Sequence, residues 1–332
     1  MVIKILSHHP LDESNTLGFP ARAEAFVRVT DEDQLVAALD YADQHNHPVT
    51  LLGGGSNLVL CGDVPGLVIQ MGILGRVQHE DTVILGAGEN WHQAVVWSVE
   101  TCALQGLEAL ALIPGTVGAA PVQNIGAYGV ELHTLAPVVR AYDRETRRFR
   151  LWHADEAEYA YRDSRFKSER DRHVITEVRL SLARQSAVKP TYPDLCRVLG
   201  GDQAVDPKTL MQAVIQVRQQ KLPDPEQIGN AGSFFKNPVI SVEQRSSLVE
   251  RYPELPNYPA INGVKLSAAW MIEHCGWKGY TRGGVGVSPQ HALVLVHYGN
   301  ENGQALMRLA ADIQQSVMDT FGVVLEPEPR VL

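Results

Sequence analysis

Apolar and polar positions along the chain follow two periods, and the points where one replaces the other mark out the elements. Ala25-Phe26-Val27-Arg28-Val29 has the alternation and β-branching of a strand. Directly after it, Leu35, Ala38, Leu39 and Ala42 share one helical face, with Thr30 a suitable N-cap and Asp31, Glu32 and Asp33 at the positive end of the dipole. Val49–Leu52 reads as the next strand; it runs into Gly53-Gly54-Gly55-Ser56-Asn57 and then, where a helix would be usual, into a second apolar run, Leu58–Leu60. Trp91, Val95, Ser98, Val99 and Cys102 make a helical face that ends before Gly106. Val138–Tyr142 and Val174–Leu180 read as strands flanking a charged run from Asp143 to Arg172. Asp206 caps a helix with Pro207 at its first position and Leu210, Val214 and Val217 as its stripe, broken by Lys221-Leu222-Pro223-Asp224-Pro225, where a domain boundary is expected. Ser241-Val242-Glu243-Gln244 is a capping box for a helix to about Tyr252. Ala268, Met271, Ile272 and Cys275 form another helical face closed by Gly276, and His291–Val296 reads as a strand. The long helix from Gly303 to Phe321 presents Leu306, Leu309, Ala310, Ile313, Val317 and Phe321, and Gly322 stops it.

With 332 residues, 45% of them hydrophobic, the chain can bury more than one core, so a multidomain globular protein is expected. The net charge of −9 argues against nucleic acid or a membrane surface as partner, yet leaves room for a local basic pocket that takes an anion. Met1–Leu6 lacks the apolar stretch of a signal peptide and no run has membrane-spanning length, so a cytoplasmic protein is expected. Cys61, Cys102, Cys196 and Cys275 are too scattered for a metal motif and read as free thiols. His8-His9 and the His45, His47 pair have no acidic or cysteine partner at ligand spacing, so no metal is expected.

The candidate chemistry lies in glycine-rich stretches. In Gly53–Asn57 a leucine, Leu58, occupies the place of the third dinucleotide-binding glycine, and in Gly86-Ala87-Gly88-Glu89-Asn90-Trp91 a tryptophan does. Neither is a Rossmann turn, and no Walker loop exists. Three glycines followed by Ser56-Asn57 can nonetheless form a nest of backbone N–H groups suited to a diphosphate. From Ile113 to Gly129 most side chains are small, which fits either backbone packed closely on backbone or a large flat ligand laid against it. The stretch Gly229-Asn230-Ala231-Gly232-Ser233-Phe234-Phe235-Lys236-Asn237-Pro238 reads as an active-site loop. Its two glycines allow positive φ, the phenylalanines anchor it on a core, and Lys236 and Asn237 offer an ammonium and an amide.

Taken together and in order, Gly53–Asn57, Ile113–Gly129, Tyr161-Arg162-Asp163-Ser164-Arg165-Phe166-Lys167, Gly229–Pro238 and Leu325-Glu326-Pro327-Glu328 resemble the UDP-N-acetylenolpyruvoylglucosamine reductase family, in its longer, first type. The resemblance implies an α+β fold: a vanillyl-alcohol-oxidase-like FAD-binding unit of two subdomains, 1–71 with the tail 325–332 and 72–220, then a substrate-binding domain, 221–324. It implies non-covalent FAD held by Gly53, Gly54, Gly55, Ser56, Asn57, Ile113, Pro114, Gly115, Gly118, Ala119, Gly126 and Ala127, since no histidine stands in the first loop for covalent attachment. Arg162, Ser233 and Glu328 match the family's catalytic residues, and Tyr128, Tyr192, Lys221 and Asn237 its substrate contacts. NADPH is then the reductant and UDP-N-acetylglucosamine enolpyruvate the substrate, in peptidoglycan precursor synthesis, by an enzyme expected to be monomeric. Lys236 is a candidate to stabilise the Ser233 alkoxide. Histidines His274 and His291 read as ordinary structural residues. Two rivals to this reading are a different flavin oxidase of the same fold and a nucleotide-sugar-binding module without flavin.

Overall fold

The computed structural model describes residues 3–332; Met1 and Val2 of the N-terminal stretch lie outside the described residues. The chain divides into two compact units: one comprises the residues up to His9 with Arg22–Gly55 and Val64–Gln219, the other Pro10–Ala21, Ser56–Asp63 and Gln220–Leu332. The segments 10–21 and 56–63 and the tail after Leu325 all belong to the second unit, because they pair there: Arg330–Val331 runs parallel to Leu58–Val59.

In the first unit, Arg22–Val29 and Val49–Leu52 both pair in parallel with Val64–Met71, in a four-stranded sheet completed by Leu6–Pro10. The helix Glu32–Gln44 supplies the parallel crossover and buries Leu35, Ala38, Leu39 and Ala42 against Ala25, Val27, Leu67 and Ile69. Its N-cap is Asp31, not Thr30: the Asp31 carboxylate accepts the Gln34 N–H at 2.7 Å, while the Thr30 N–H donates to the Gln34 side chain. Both residues can cap, and the charged acceptor wins at the positive end of the dipole.

The same unit holds a five-stranded antiparallel sheet in the order Arg148–Trp152, Val138–Asp143, His173–Ser181, Thr82–Gly86, Arg76–His79. The two strands that flank the charged run pair with each other, Val139 opposite Val178. The run itself is closed at its base: the Arg172 guanidinium makes parallel bonds of 3.1 and 3.0 Å to the Asp143 carboxylate, and the Arg144 N–H donates to the Arg172 carbonyl. The paired Arg172 holds the Asp143 carboxyl well below the usual carboxylate range, against a smaller opposing effect of burial. A depressed carboxyl stabilises the fold above its unfolded pKa, so this pin is fully present at neutral pH and lost only in strong acid. Helix Trp91–Val96, capped by Asn90, continues as one π turn, Trp97–Thr101, where a plain α-helix was expected.

In the second unit, Gly229–Ser233 is not a loop but the edge strand of an antiparallel sheet, followed in order by Val294–His297, Val285–Val287 and Thr281–Arg282. The strand expected at His291–Val296 thus begins later, at Val294. A smaller sheet joins Val239–Ile240, Gly263–Leu266 and Asn257–Ala260. Helices Val242–Arg251 and Ala268–His274 start at the side-chain caps Ser241 and Ser267. The long helix Gly303–Phe321 buries the whole expected stripe, from Leu306 to Phe321. Among the described residues no helix is long and apolar enough to cross a membrane, no His, Cys, Asp or Glu cluster could hold a metal, and all four cysteines are free.

Candidate active site

In the first unit the glycine-rich segments are bedded on one another. A Cβ on Gly54 would lie 3.0 Å from the Gly115 Cα, and one on Gly53 would lie 2.5 Å from the Thr116 Oγ1. The small residues therefore serve backbone-on-backbone packing whatever else they do, since no side chain fits between the two segments. The discarded Gly86–Trp91 stretch braces them from behind: Gly118 N–H donates to Ala87 O, Val117 N–H to Glu89 O and Trp91 N–H to Gly115 O. Thr116 Oγ1 is buried with no hydrogen-bond partner, an orphan that a bound polar group would satisfy. Ile113, Pro114, Gly115, Gly118, Ala119, Gly126 and Ala127 all belong to this unit with Gly53, Gly54 and Gly55. Ser56 and Asn57 belong to the second unit.

Four non-glycine residues in or near this region have left-handed backbone: Leu112 (φ 59°), Asn124 (45°), Tyr128 (48°) and Arg162 (55°). Such conformations cost about 1–3 kcal/mol each and are held only where surrounding structure dictates them. Asn124, fully buried, is the organiser: its amide donates to Glu131 Oε2 at 2.9 Å and Ala160 O at 3.1 Å, and its Oδ1 accepts the His133 N–H. The Arg162 guanidinium in turn reaches the segment, donating to Gly126 O at 2.7 Å. Tyr128 meets Tyr192 edge-on, ring centroids 5.5 Å apart, and Tyr192 is 42% exposed at the start of helix Pro193–Leu199.

Sequence reasoning missed two basic residues here. Arg218 lies one helical turn before Lys221 on Pro207–Lys221; its Nε is sealed from solvent without a partner. Burial pushes its pKa down, Tyr128 opposes that, and the Arg162 charge adds to it. The Arg162 and Arg218 guanidinium groups thus stand within electrostatic reach of each other, which favours an anion beside them. The i, i+3 spacing of Arg218 and Lys221 was the available signal. The other is His92, half-buried, whose Nδ1 accepts the Leu112 N–H at 3.1 Å; burial and then the Arg218 charge lower its pKa.

In the second unit, Ser233 is exposed at the end of its strand, between buried Ala231 and buried Phe234. The tail lies alongside: Glu328 N–H donates to Phe234 O at 2.8 Å, Phe235 bridges Pro327, and Lys236 N–H donates to Glu326 O. Ser233 and Glu328 are thus brought together through neighbouring backbone. The tail end after Pro329 is seated as a strand, with Leu332 N–H on Val59 O and Arg330 N–H on Asn57 O. The Lys236 ammonium pairs with Glu326 at 3.1 Å, so its charge is shared with that carboxylate and not reserved for Ser233. The Asn237 side-chain Oδ1 accepts the Ala268 N–H at a helix N-terminus at 3.0 Å. His291, dismissed from the sequence, has its pKa lowered by burial and then by the Lys221 and Lys278 charges, so it stands within electrostatic reach of Lys221.

A family model for the C-terminal domain of UDP-N-acetylenolpyruvoylglucosamine reductase matches residues 224–332, and one for an FAD binding domain matches 23–143. The reductase of that name from Cupriavidus pinatubonensis is 48% identical over 330 residues, covering 98% of each chain. The chain belongs to the UDP-N-acetylenolpyruvoylglucosamine reductase family. The Chromobacterium violaceum reductase agrees, at 45% identity over the full length of both chains. In structure, the reductase from Thermus caldophilus aligns with a TM-score of 0.69 at 23% identity, over 100% of this chain and 99% of that one, a likeness of fold. The protein is an FAD-dependent oxidoreductase of peptidoglycan precursor synthesis, with an FAD-binding domain and the expected mixture of helices and strands. Membership in this family sets aside both the flavin-free binding module and the different flavin oxidase of the same fold.

Proposed function

We propose that this enzyme uses NADPH to reduce the enolpyruvyl ether of UDP-N-acetylglucosamine, giving UDP-N-acetylmuramate. The observation that carries this reading is the antiparallel run of the tail beside Phe234 and Lys236, which brings the glutamate-bearing segment next to an exposed serine. FAD, when bound, would take hydride from NADPH and supply it to C3 of the substrate. Hydride arrival at C3 leaves negative charge at C2, delocalised into the neighbouring carboxylate. Arg162 would hold that carboxylate through parallel N–H···O bonds, with Arg218 as a second cation. Glu328, protonated, would donate a hydrogen bond to the same developing charge, and the Ser233 hydroxyl would give its proton to C2. Lys221, with His291 near it in charge, and the Asn237 amide would take the diphosphate, and Tyr192 with Tyr128 would cover it. A nucleotide-sugar substrate and NADPH fit a cytoplasmic enzyme, and a monomer needs nothing further for this chemistry. The direct test is an anaerobic one: NADPH bleaches the flavin, and only the enolpyruvyl substrate, forming UDP-N-acetylmuramate, restores its colour.

Non-covalent FAD is supported by the lack of a histidine in Gly53–Asn57 and by the orphan Thr116 hydroxyl, which fits a polar cofactor. The protein is expected to purify yellow and to release all its flavin into the supernatant on acid precipitation. Gly54→Val is expected to purify colourless while keeping its far-ultraviolet dichroism, because the new side chain meets Gly115 Cα. Flavin that stays with the precipitate would refute the non-covalent reading.

For the diphosphate contact, Lys221→Ala is expected to weaken UDP-sugar binding about 10–150-fold, the equivalent of about 1.5–3 kcal/mol for a charge-assisted bond. Calorimetry at low salt checks it, and an unchanged dissociation constant returns Lys221 to a plain helix-end lysine.

A further inference from the structure

Ser233 stands exposed because the strand that carries it is irregular. Gly229 and Asn230 pair with His297 and Val296, but the next pair is Ser233 with Val294, so three steps on one strand match two on the other. The extra residue is a β-bulge, a device that re-aims a side chain. Gly232 lies within it at φ 68°, with nothing within 4 Å of where a Cβ would sit, so its conformation and not crowding calls for glycine. The buried Asn230 writes that conformation: its Oδ1 accepts the Gly232 N–H at 3.0 Å, and its Nδ2 donates to Pro223 O at 3.0 Å and Ile228 O at 2.9 Å. Its backbone is clamped as well, the N–H donating to Thr16 O at 3.0 Å and the carbonyl accepting the Thr16 hydroxyl at 2.7 Å. Every polar group of this residue is committed, and the commitments converge on the turn before Ser233.

We propose that the Asn230 side chain, through the left-handed Gly232, is the positioning device that aims the Ser233 hydroxyl for proton transfer. The inference rests on the proposed role of Ser233. Asn230 touches no reacting atom; it acts by fixing where the hydroxyl is, and a displacement of about 1 Å can cost about 10²-fold in rate.

The test measures both half-reactions of the holoenzyme by anaerobic stopped-flow. Asn230→Ala is expected to leave NADPH bleaching of the flavin within about two-fold of wild type and to slow reoxidation by the enolpyruvyl substrate about 10–100-fold. Amide exchange in the 229–235 peptide should quicken. In a Ser233→Ala background, Asn230→Ala should slow reoxidation no further, because a residue that acts through another has nothing left to position. Should Asn230→Ala fold poorly, Gly232→Ala and Gly232→Asn decide the matter: asparagine tolerates left-handed backbone and alanine does not, so reoxidation should be faster in Gly232→Asn. Equal loss in both half-reactions, additive loss in the double variant, or no difference between the two Gly232 variants overturns the proposal. If Ser233→Ala alone reoxidises at the wild-type rate, the role of Ser233 has failed and the Asn230 proposal falls with it.

Discussion

Ser233→Ala is expected to separate the two half-reactions: NADPH should bleach its flavin at near the wild-type rate, while reoxidation by the enolpyruvyl substrate slows by about 10²–10⁴-fold, the usual range for loss of a general acid. Removing the hydroxyl should not disturb the frame, because the side chain is exposed and the neighbouring Phe234 and Phe235, each 1% exposed, hold the segment in the core. Ser233→Cys, with a bulkier and differently acidic donor, should fall between the two. Anaerobic stopped-flow at the flavin absorption band reads both steps. Reoxidation within a few-fold of wild type, or equal loss of both steps with flavin still bound, would assign the segment to positioning alone. The Lys236 ammonium, a candidate to stabilise the Ser233 alkoxide, pairs with Glu326 at 3.1 Å.

Arg162→Ala is expected to lower kcat/KM by about 30–4,000-fold, the range for truncating one partner of a desolvated charge pair at about 2–5 kcal/mol. NADPH should still reduce the flavin within a few-fold of wild type. Arg162→Lys keeps the charge but loses the planar fork, so it should recover only part of the loss. The guanidinium also donates to the Gly126 carbonyl, and that second bond gives the experiment its edge. If flavin reduction and flavin content fall along with turnover, the bond to Gly126 is what matters and the carboxylate role is wrong. The backbone at Arg162 is left-handed, with φ 55°.

The sequence by itself determined the elements whose cause is local. The helix Gly303–Phe321 was legible to the residue, because its stripe repeats over many turns and Gly322 follows it. The strands 138–143 and 173–181 were legible from their branched apolar runs, and the combined order of short motifs identified the family, since each motif is contiguous. Only the tertiary structure decided the rest. Gly229–Ser233 has no alternation to betray a strand; it is one because Val294–His297, more than sixty residues on, supplies its hydrogen bonds. Thr30 and Asp31 are both capping residues, and only the helix geometry chose the second. The small residues at Gly53 and Gly54 were visible, but what they admit, Thr116 and Gly115, is a matter of which backbones meet. Arg218, His92 and His291 looked ordinary because a side chain's charge state depends on burial and on cations that the fold brings from distant positions. Periodicity and capping are carried by near neighbours and can be read along the chain. Long-range pairing, close backbone approach and the electric field at a buried group exist only after the chain has folded.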